Sequence, residues 1–277
     1  MKLGWIILTG LVVATMTSMT QAEVKTETVQ YKSGQVEAHG FLAYDDNKAA
    51  GKRPGVLIVP EWWGLNDYAK SRAIQLAKLG YVALAADIYG DGQVTEDPKQ
   101  AGKWAGALKA GDRKELRARV TAALEQLKSN PNVDTTRTAA IGYCFGGSTV
   151  LELARSGAAV NAVVSFHGDL SIAQPAAPGE VKAKILVCHG GDDSFESPEQ
   201  IAAFQDEMRK AHADWEMNVY GNAVHSFTNP GADKHGIPGI AYNKEADHRS
   251  FEAMIALFNE VFGARATSTR PAAQASR

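Results

Sequence analysis

Cysteine is nearly absent: only Cys144 and Cys188 occur in a chain of 277 residues. That excludes a disulfide framework or a multi-cysteine zinc cluster as the basis of the fold. A bridge between the two is not expected, because each lies near the end of a different predicted strand. Neither sign of charge is in excess, since 29 Lys and Arg stand against 31 Asp and Glu. With the basic residues scattered, nothing is built to neutralise a nucleic-acid backbone or an anionic membrane surface, so no nucleic-acid partner is expected. No apolar run approaches the roughly 18 residues of a membrane span. The best candidate, Trp5–Ala14, contains Gly10, follows Lys2 and precedes small or polar residues through Ala22. This is the order of a secretory signal peptide. The sequence therefore predicts export, to a bacterial periplasm, with cleavage near Ala22 and no stable membrane insertion afterwards. Internal repeats, long linkers and metal-ligand spacings such as His-Glu-x-x-His are also missing, and no metal or cofactor is expected. Residues 264–277 offer no apolar face and read as a disordered tail.

What is present is an ordinary globular composition, 45% hydrophobic and 22% charged, in a length that suits one large α/β domain over residues 23–263. Thr26–Tyr31 and Val36–Tyr44 alternate as an antiparallel pair joined at Ser33-Gly34. After Pro54 the pattern changes. Short apolar strands at Val56–Val59, Tyr81–Ala86, Thr138–Gly142, Val160–Phe166, Lys184–Cys188 and Glu216–Tyr220 alternate with amphipathic helices. The helices are Asp67–Leu79, Ala101–Leu108, Glu115–Lys128, Gly147–Arg155, Glu199–His212 and Lys244–Phe262. Such alternation predicts a mostly parallel central sheet with helices on both faces and a leading antiparallel pair, the order of the α/β-hydrolase fold. The stretch between Phe166 and Lys184 is too short for a large lid.

Reactive groups in such a sheet collect beyond the carboxyl ends of the strands. There the chain places Glu61-Trp62-Trp63, then Asp87-Ile88-Tyr89, then "GYCFGG" around Cys144, then His167, then "HGGDDSF", and finally "AVHSF" around His225. Cys144 occupies the centre of a Gly-x-Cys-x-Gly frame, the nucleophile elbow with thiol in place of hydroxyl. The following helix turns its positive end toward the sulfur and favours thiolate; a small buried turn cysteine is the alternative. The N–H of Phe145 would face an oxyanion. His225 stands where a general base belongs. Asp192 and Asp193 compete to orient it. Glu61, beside two tryptophans at a strand end, is costly to bury unpaired and reads as a pocket acid. His167 and His189 also end strands and read either as pocket residues or, more readily, as structural residues that support the pocket.

Together "VPEWWGLND", "AADIYG", "GYCFGG", "HGGDDSF" and "YGNAVHSFTNPG" make residues 24–263 resemble the dienelactone hydrolases, or carboxymethylenebutenolidases. The resemblance implies an α/β-hydrolase without a large lid and a Cys144-Asp193-His225 triad. It implies that Glu61 holds the resting thiol until substrate displaces it, and that Trp62 supplies the second oxyanion N–H beside that of Phe145. Trp63, Tyr89, His167 and Phe227 would line the pocket. Where characterised members carry arginines for a substrate carboxylate, this chain has Asp91 and Asn229. The expectation is thus an exported thiol hydrolase of small lactones or activated esters, a monomer or weak homo-oligomer. A non-catalytic small-molecule-binding protein on the same fold is the competing reading.

Overall fold

The computed structural model describes residues 23–46 and 51–263. The expected signal peptide and C-terminal tail lie outside the described residues. Strands β1 (Val24–Ser33) and β2 (Val36–Asp45) form a hairpin in continuous register from Val24 opposite Asp45 to Ser33 opposite Val36. Gly34 supplies the positive φ that its tight turn needs. The remaining strands are β3 (Arg53–Val59), β4 (Val82–Ala85), β5 (Val133–Tyr143), β6 (Ala162–Phe166), β7 (Lys184–Gly190) and β8 (Trp215–Tyr220). They form one sheet in the order β1-β2-β4-β3-β5-β6-β7-β8, antiparallel across β1-β2 and β2-β4 and parallel elsewhere.

Helices α1 (Asp67–Lys78), α2 (Pro98–Lys109), α3 (Lys114–Ser129), α4 (Phe145–Arg155), α5 (Pro198–Lys210) and α6 (Lys244–Phe262) cover both faces. Local chemistry starts most of them. Asn66, Asp97, Ser197 and Asn243 each accept a backbone N–H at the helix entrance, and Ser197 forms a reciprocal capping box with Gln200. The central parallel strands are buried on both sides, so their side chains alternate between two cores. Leu57, Val59, Val163 and Val187 meet Leu116, Val120, Leu124 and Val150 of α3 and α4, with Phe204 of α5. Val56, Ile58, Ile141 and Val164 meet Ala73 and Leu76 of α1 and Met254 and Phe258 of α6. This two-sided burial is why the strands read as continuous apolar runs.

The structure adds to the sequence expectation mainly at element ends. β5 begins at Val133 with a register irregularity against Pro54-Gly55, and α2 reaches Lys109. A short 3-10 turn, Ala232–His235, interrupts the loop after β8. Segment 167–183, between β6 and β7, contains neither helix nor strand. No described helix is long and apolar enough to cross a membrane.

Candidate active site

From β3 the chain crosses to β4 on one side and returns to β5 on the other, so the loops leaving β3 and β5 part and open a crevice between them. The loop after β5 is a single residue. Tyr143 ends the strand, Phe145 begins α4, and Cys144 turns between them at φ 52°, ψ −116°. A non-glycine residue is held in such a conformation at a cost of about 1–3 kcal/mol, so its surroundings must impose it. The Cys144 N–H donates to the Phe166 carbonyl at 3.0 Å and to His167 Nδ1 at 3.1 Å. Its carbonyl accepts from the N–H groups of Gly147 and Ser148. Three backbones crowd this turn. A Cβ on Gly142 would stand 2.0 Å from the Gly146 oxygen, and one on Gly146 would stand 2.1 Å from the Val59 oxygen. Glycine is therefore required at both positions by close approach. α4 has no side-chain cap at its amino terminus.

His225 sits in the loop after β8, its N–H and carbonyl fixed by Gly239 and Ala241. Its Nδ1 lies 2.8 Å from Asp193 Oδ2, while Asp193 Oδ1 accepts from the Phe195 N–H at 3.0 Å. Asp192, by contrast, is exposed, so the geometry separates the two acids that the sequence left in competition. Burial works against a charge on His225. The Cys144 sulfur and the Asp193 carboxylate outweigh burial and hold its pKa well above the ordinary imidazole value. Cys188 is remote from this chemistry, buried with its sulfur 3.8 Å from the Tyr220 hydroxyl, and both cysteines are free. Among the described residues no three metal-ligating side chains converge.

Glu61 is fully buried, and its Oε2 accepts from Asn229 Nδ2 at 2.7 Å. The expected contact with the resting thiol is therefore replaced by one with Asn229, which stands where a substrate-binding arginine was sought. Oε1 is buried with no hydrogen-bond partner. Burial pushes the Glu61 pKa up, against the pull of Ser226, Asn229 and His225. Below the ordinary value of 4.5 both folded and unfolded chains are protonated here. Above it the unfolded chain ionises first, so this group makes stability fall as pH rises toward the folded value. Glu61→Gln, which keeps the Asn229 bond and removes the charge, is expected to raise Tm by about 2–6 °C at pH 8 and by less at pH 5. Thermal melts at the two pH values check this; a lower Tm at pH 8 refutes it.

Cys144, Phe145, Trp62 and His225 line a cavity of about 350 Å³. Phe195, Ile237 and Ile240 complete its apolar side, and Lys109, Asp169, Ser171, Glu196 and Gln200 its polar side. Trp63, Tyr89, His167 and Phe227, expected to line the pocket, are not among the residues lining this cavity. Tyr89 is buried, stacks on Phe145 and donates to the Trp62 carbonyl at 3.0 Å, so it braces the loop after β3. Trp63 stacks on His235 with ring centroids 4.0 Å apart. Phe227 is a core residue against His167 and Tyr220. His167 lies beneath the elbow with Nε2 2.7 Å from the Thr228 hydroxyl; burial and the nearby His225 push its pKa well below the usual range. That leaves it neutral and able to accept the Cys144 N–H. Each of these residues precedes or follows a strand end, but a strand-end position does not say which way the side chain points.

A strained thiol elbow at the switch point of a doubly covered α/β sheet defines the hydrolase class of protein. A sequence model of the dienelactone hydrolase family matches residues 38–262. The chain belongs to that family, and with it to the carboxylic ester and lactone hydrolases. Among solved structures, one named m3DLH is 46% identical, spans 86% of this chain and 98% of its own, and superposes with a TM-score of 0.83. A dienelactone hydrolase-like promiscuous phosphotriesterase from metagenomic libraries is 45% identical over 86% of this chain and 98% of its own, with a TM-score of 0.81. A probable 2-oxo-3-(5-oxofuran-2-ylidene)propanoate lactonase from a Bradyrhizobium species is 31% identical, covering 64% of this chain and 74% of its own.

Proposed function

We propose that the protein is an exported hydrolase that cleaves small lactones or activated esters through an acyl-enzyme on Cys144. One observation carries this reading. The Cys144 elbow and His225 share a cavity wall, and Asp193 holds the far nitrogen of His225 at 2.8 Å. The Cys144 thiolate attacks the carbonyl carbon, and the carbonyl electron pair moves onto oxygen. The N–H of Phe145, at the head of α4, and that of Trp62 across the crevice stabilise this oxyanion. As the tetrahedral adduct collapses, the imidazolium of His225 gives its proton to the departing alkoxide, leaving a thioester. Neutral His225 then takes a proton from water as its oxygen adds to the thioester, and collapse expels the thiolate and releases the acid. Asp193 keeps the His225 ring oriented with its reactive nitrogen toward the sulfur. Glu61 acts as a positioning residue, because its bond to Asn229 ties the loop after β3, and with it Trp62, to the loop after β8.

The cavity volume suits small substrates. A competing reading as a non-catalytic binding protein leaves the strained elbow and the Cys144–His225–Asp193 order without purpose. The test is rapid quenching of a reaction with a p-nitrophenyl ester, followed by intact-mass and peptide analysis. We expect one acyl group on Cys144, with release of nitrophenolate. A panel of lactones, activated carboxylic esters and an uncharged aryl phosphotriester follows, the last because a 45% identical relative is named for that activity. Binding without turnover of any of these supports the binder instead. In protein exported from a bacterial host, the same spectrum reads the amino terminus. A chain beginning at Glu23 supports cleavage near Ala22, and an intact Met1 contradicts it.

A further inference from the structure

We propose that the polar wall of the Cys144 cavity, formed by Glu196 and the Lys109–Asp169 ion pair, selects uncharged acyl groups and turns away carboxylate-bearing ones. This rests on the hydrolase reading above and names the substrate class within it. Lys109, at the end of α2, is the one cationic Lys or Arg among the described lining residues, and it is not free. Its ammonium is paired with Asp169, which lines the same cavity. Asp169 is itself anchored by the Ser171 N–H at 2.7 Å and the Ser171 hydroxyl at 2.9 Å. The nearby Arg113 is likewise engaged, with the Ser171 carbonyl and Glu152.

Glu196 makes no ion pair within the described residues. Its Oε2 accepts only the Leu170 N–H, at 3.0 Å. A substrate carboxylate entering this space would therefore meet a neutral Lys109–Asp169 pair and the unpaired carboxylate of Glu196. The charged groups that act on Glu196 most strongly are Asp169 from segment 167–183, Asp193 from its own loop and His225 from the loop after β8, and Lys109 of α2 stands in the same wall, paired with Asp169. Burial pushes Glu196 up to about 7, Asp169 and Asp193 add to the rise, and the Leu170 N–H and His225 oppose it. Its charge therefore develops between pH 6 and pH 8, and rejection of anions sharpens across that interval.

The test compares two p-nitrophenyl esters of similar length, the uncharged pentanoate and the anionic hemiglutarate. The readout is the ratio of their kcat/KM values, corrected for the same ratio with a small thiol in solution. Wild type should prefer the uncharged ester by at least about tenfold at pH 8. Glu196→Gln should bring the anionic-to-neutral ratio up about tenfold at pH 8 and less at pH 6, the effect of one charge at a partly buried site. Asp169→Asn, which releases Lys109, should raise it as well, and Lys109→Met should lower it. A purely structural defect depresses both rates and leaves the ratio alone. Wild type that takes both esters equally, or ratios that move less than twofold in Glu196→Gln and Asp169→Asn, overturns the proposal. If no ester is turned over, the hydrolase reading fails separately. Charge selection is then read from Cys144 alkylation by N-propyl and N-carboxyethyl iodoacetamide, with the same order expected or the proposal lost.

Discussion

Cys144→Ala is expected to hydrolyse activated esters about 10³–10⁴-fold more slowly than wild type while remaining folded. The thiol is the one nucleophile in the cavity that a helix amino terminus and an imidazole both face, so no neighbouring side chain can take its place. Folding should survive because alanine keeps the Cβ, and the bonds that force the elbow come from backbone and from His167. The substitution also has a spectroscopic consequence. Cys144 is the largest of the influences that raise His225, so removing its sulfur should lower the His225 pKa. Steady-state rates and an NMR titration of the His225 ring read the two effects. Activity within tenfold of wild type would remove Cys144 from the chemistry, and an unmoved His225 titration would break the ion pair.

His225→Gln should cost a comparable 10³–10⁴-fold in turnover, but with a different signature. Acylation by a sufficiently activated ester can proceed without a proton donor, because a nitrophenolate leaves unaided. Deacylation cannot, since water must lose a proton as it attacks the thioester. The variant should therefore accumulate acylated Cys144 that persists for minutes or longer, where wild type clears it within the mixing time. Intact-mass measurements at successive times decide the matter. An acyl-enzyme that decays at the wild-type rate would show that some other group activates water.

Much of this was legible in the chain. Strands flanked by Gly142, Gly146 and short turns identify themselves because burial on both faces makes them continuous apolar runs. Cys144, Asp193 and His225 stand out because each follows such a strand in an order that hydrolases share. The polar cavity wall was not legible. Lys109 and Glu196 look like ordinary solvated charges at the end of one helix and the start of another. Only the approach of α2, segment 167–183 and the loop before α5 puts them in one cavity wall. The same limit explains Trp63, Tyr89, His167 and Phe227. Aromatic residues near a strand end are equally suited to a pocket or to the scaffold behind it.

The sequence by itself determined the order of strands and helices, the thiol at the elbow and the acid and base that follow it, because backbone sterics, hydrophobic periodicity and chain order act locally. The family resemblance already pointed to Asp193 of the two adjacent aspartates, and tertiary structure alone decided that Glu61 pairs with Asn229 rather than the thiol. It also decided that Lys109, the one lysine among the described residues lining the cavity, is paired with Asp169 there. The physical reason is that charge and hydrogen-bond pairing depend on separations of about 3 Å between residues far apart in the chain, and on burial that sets their strength.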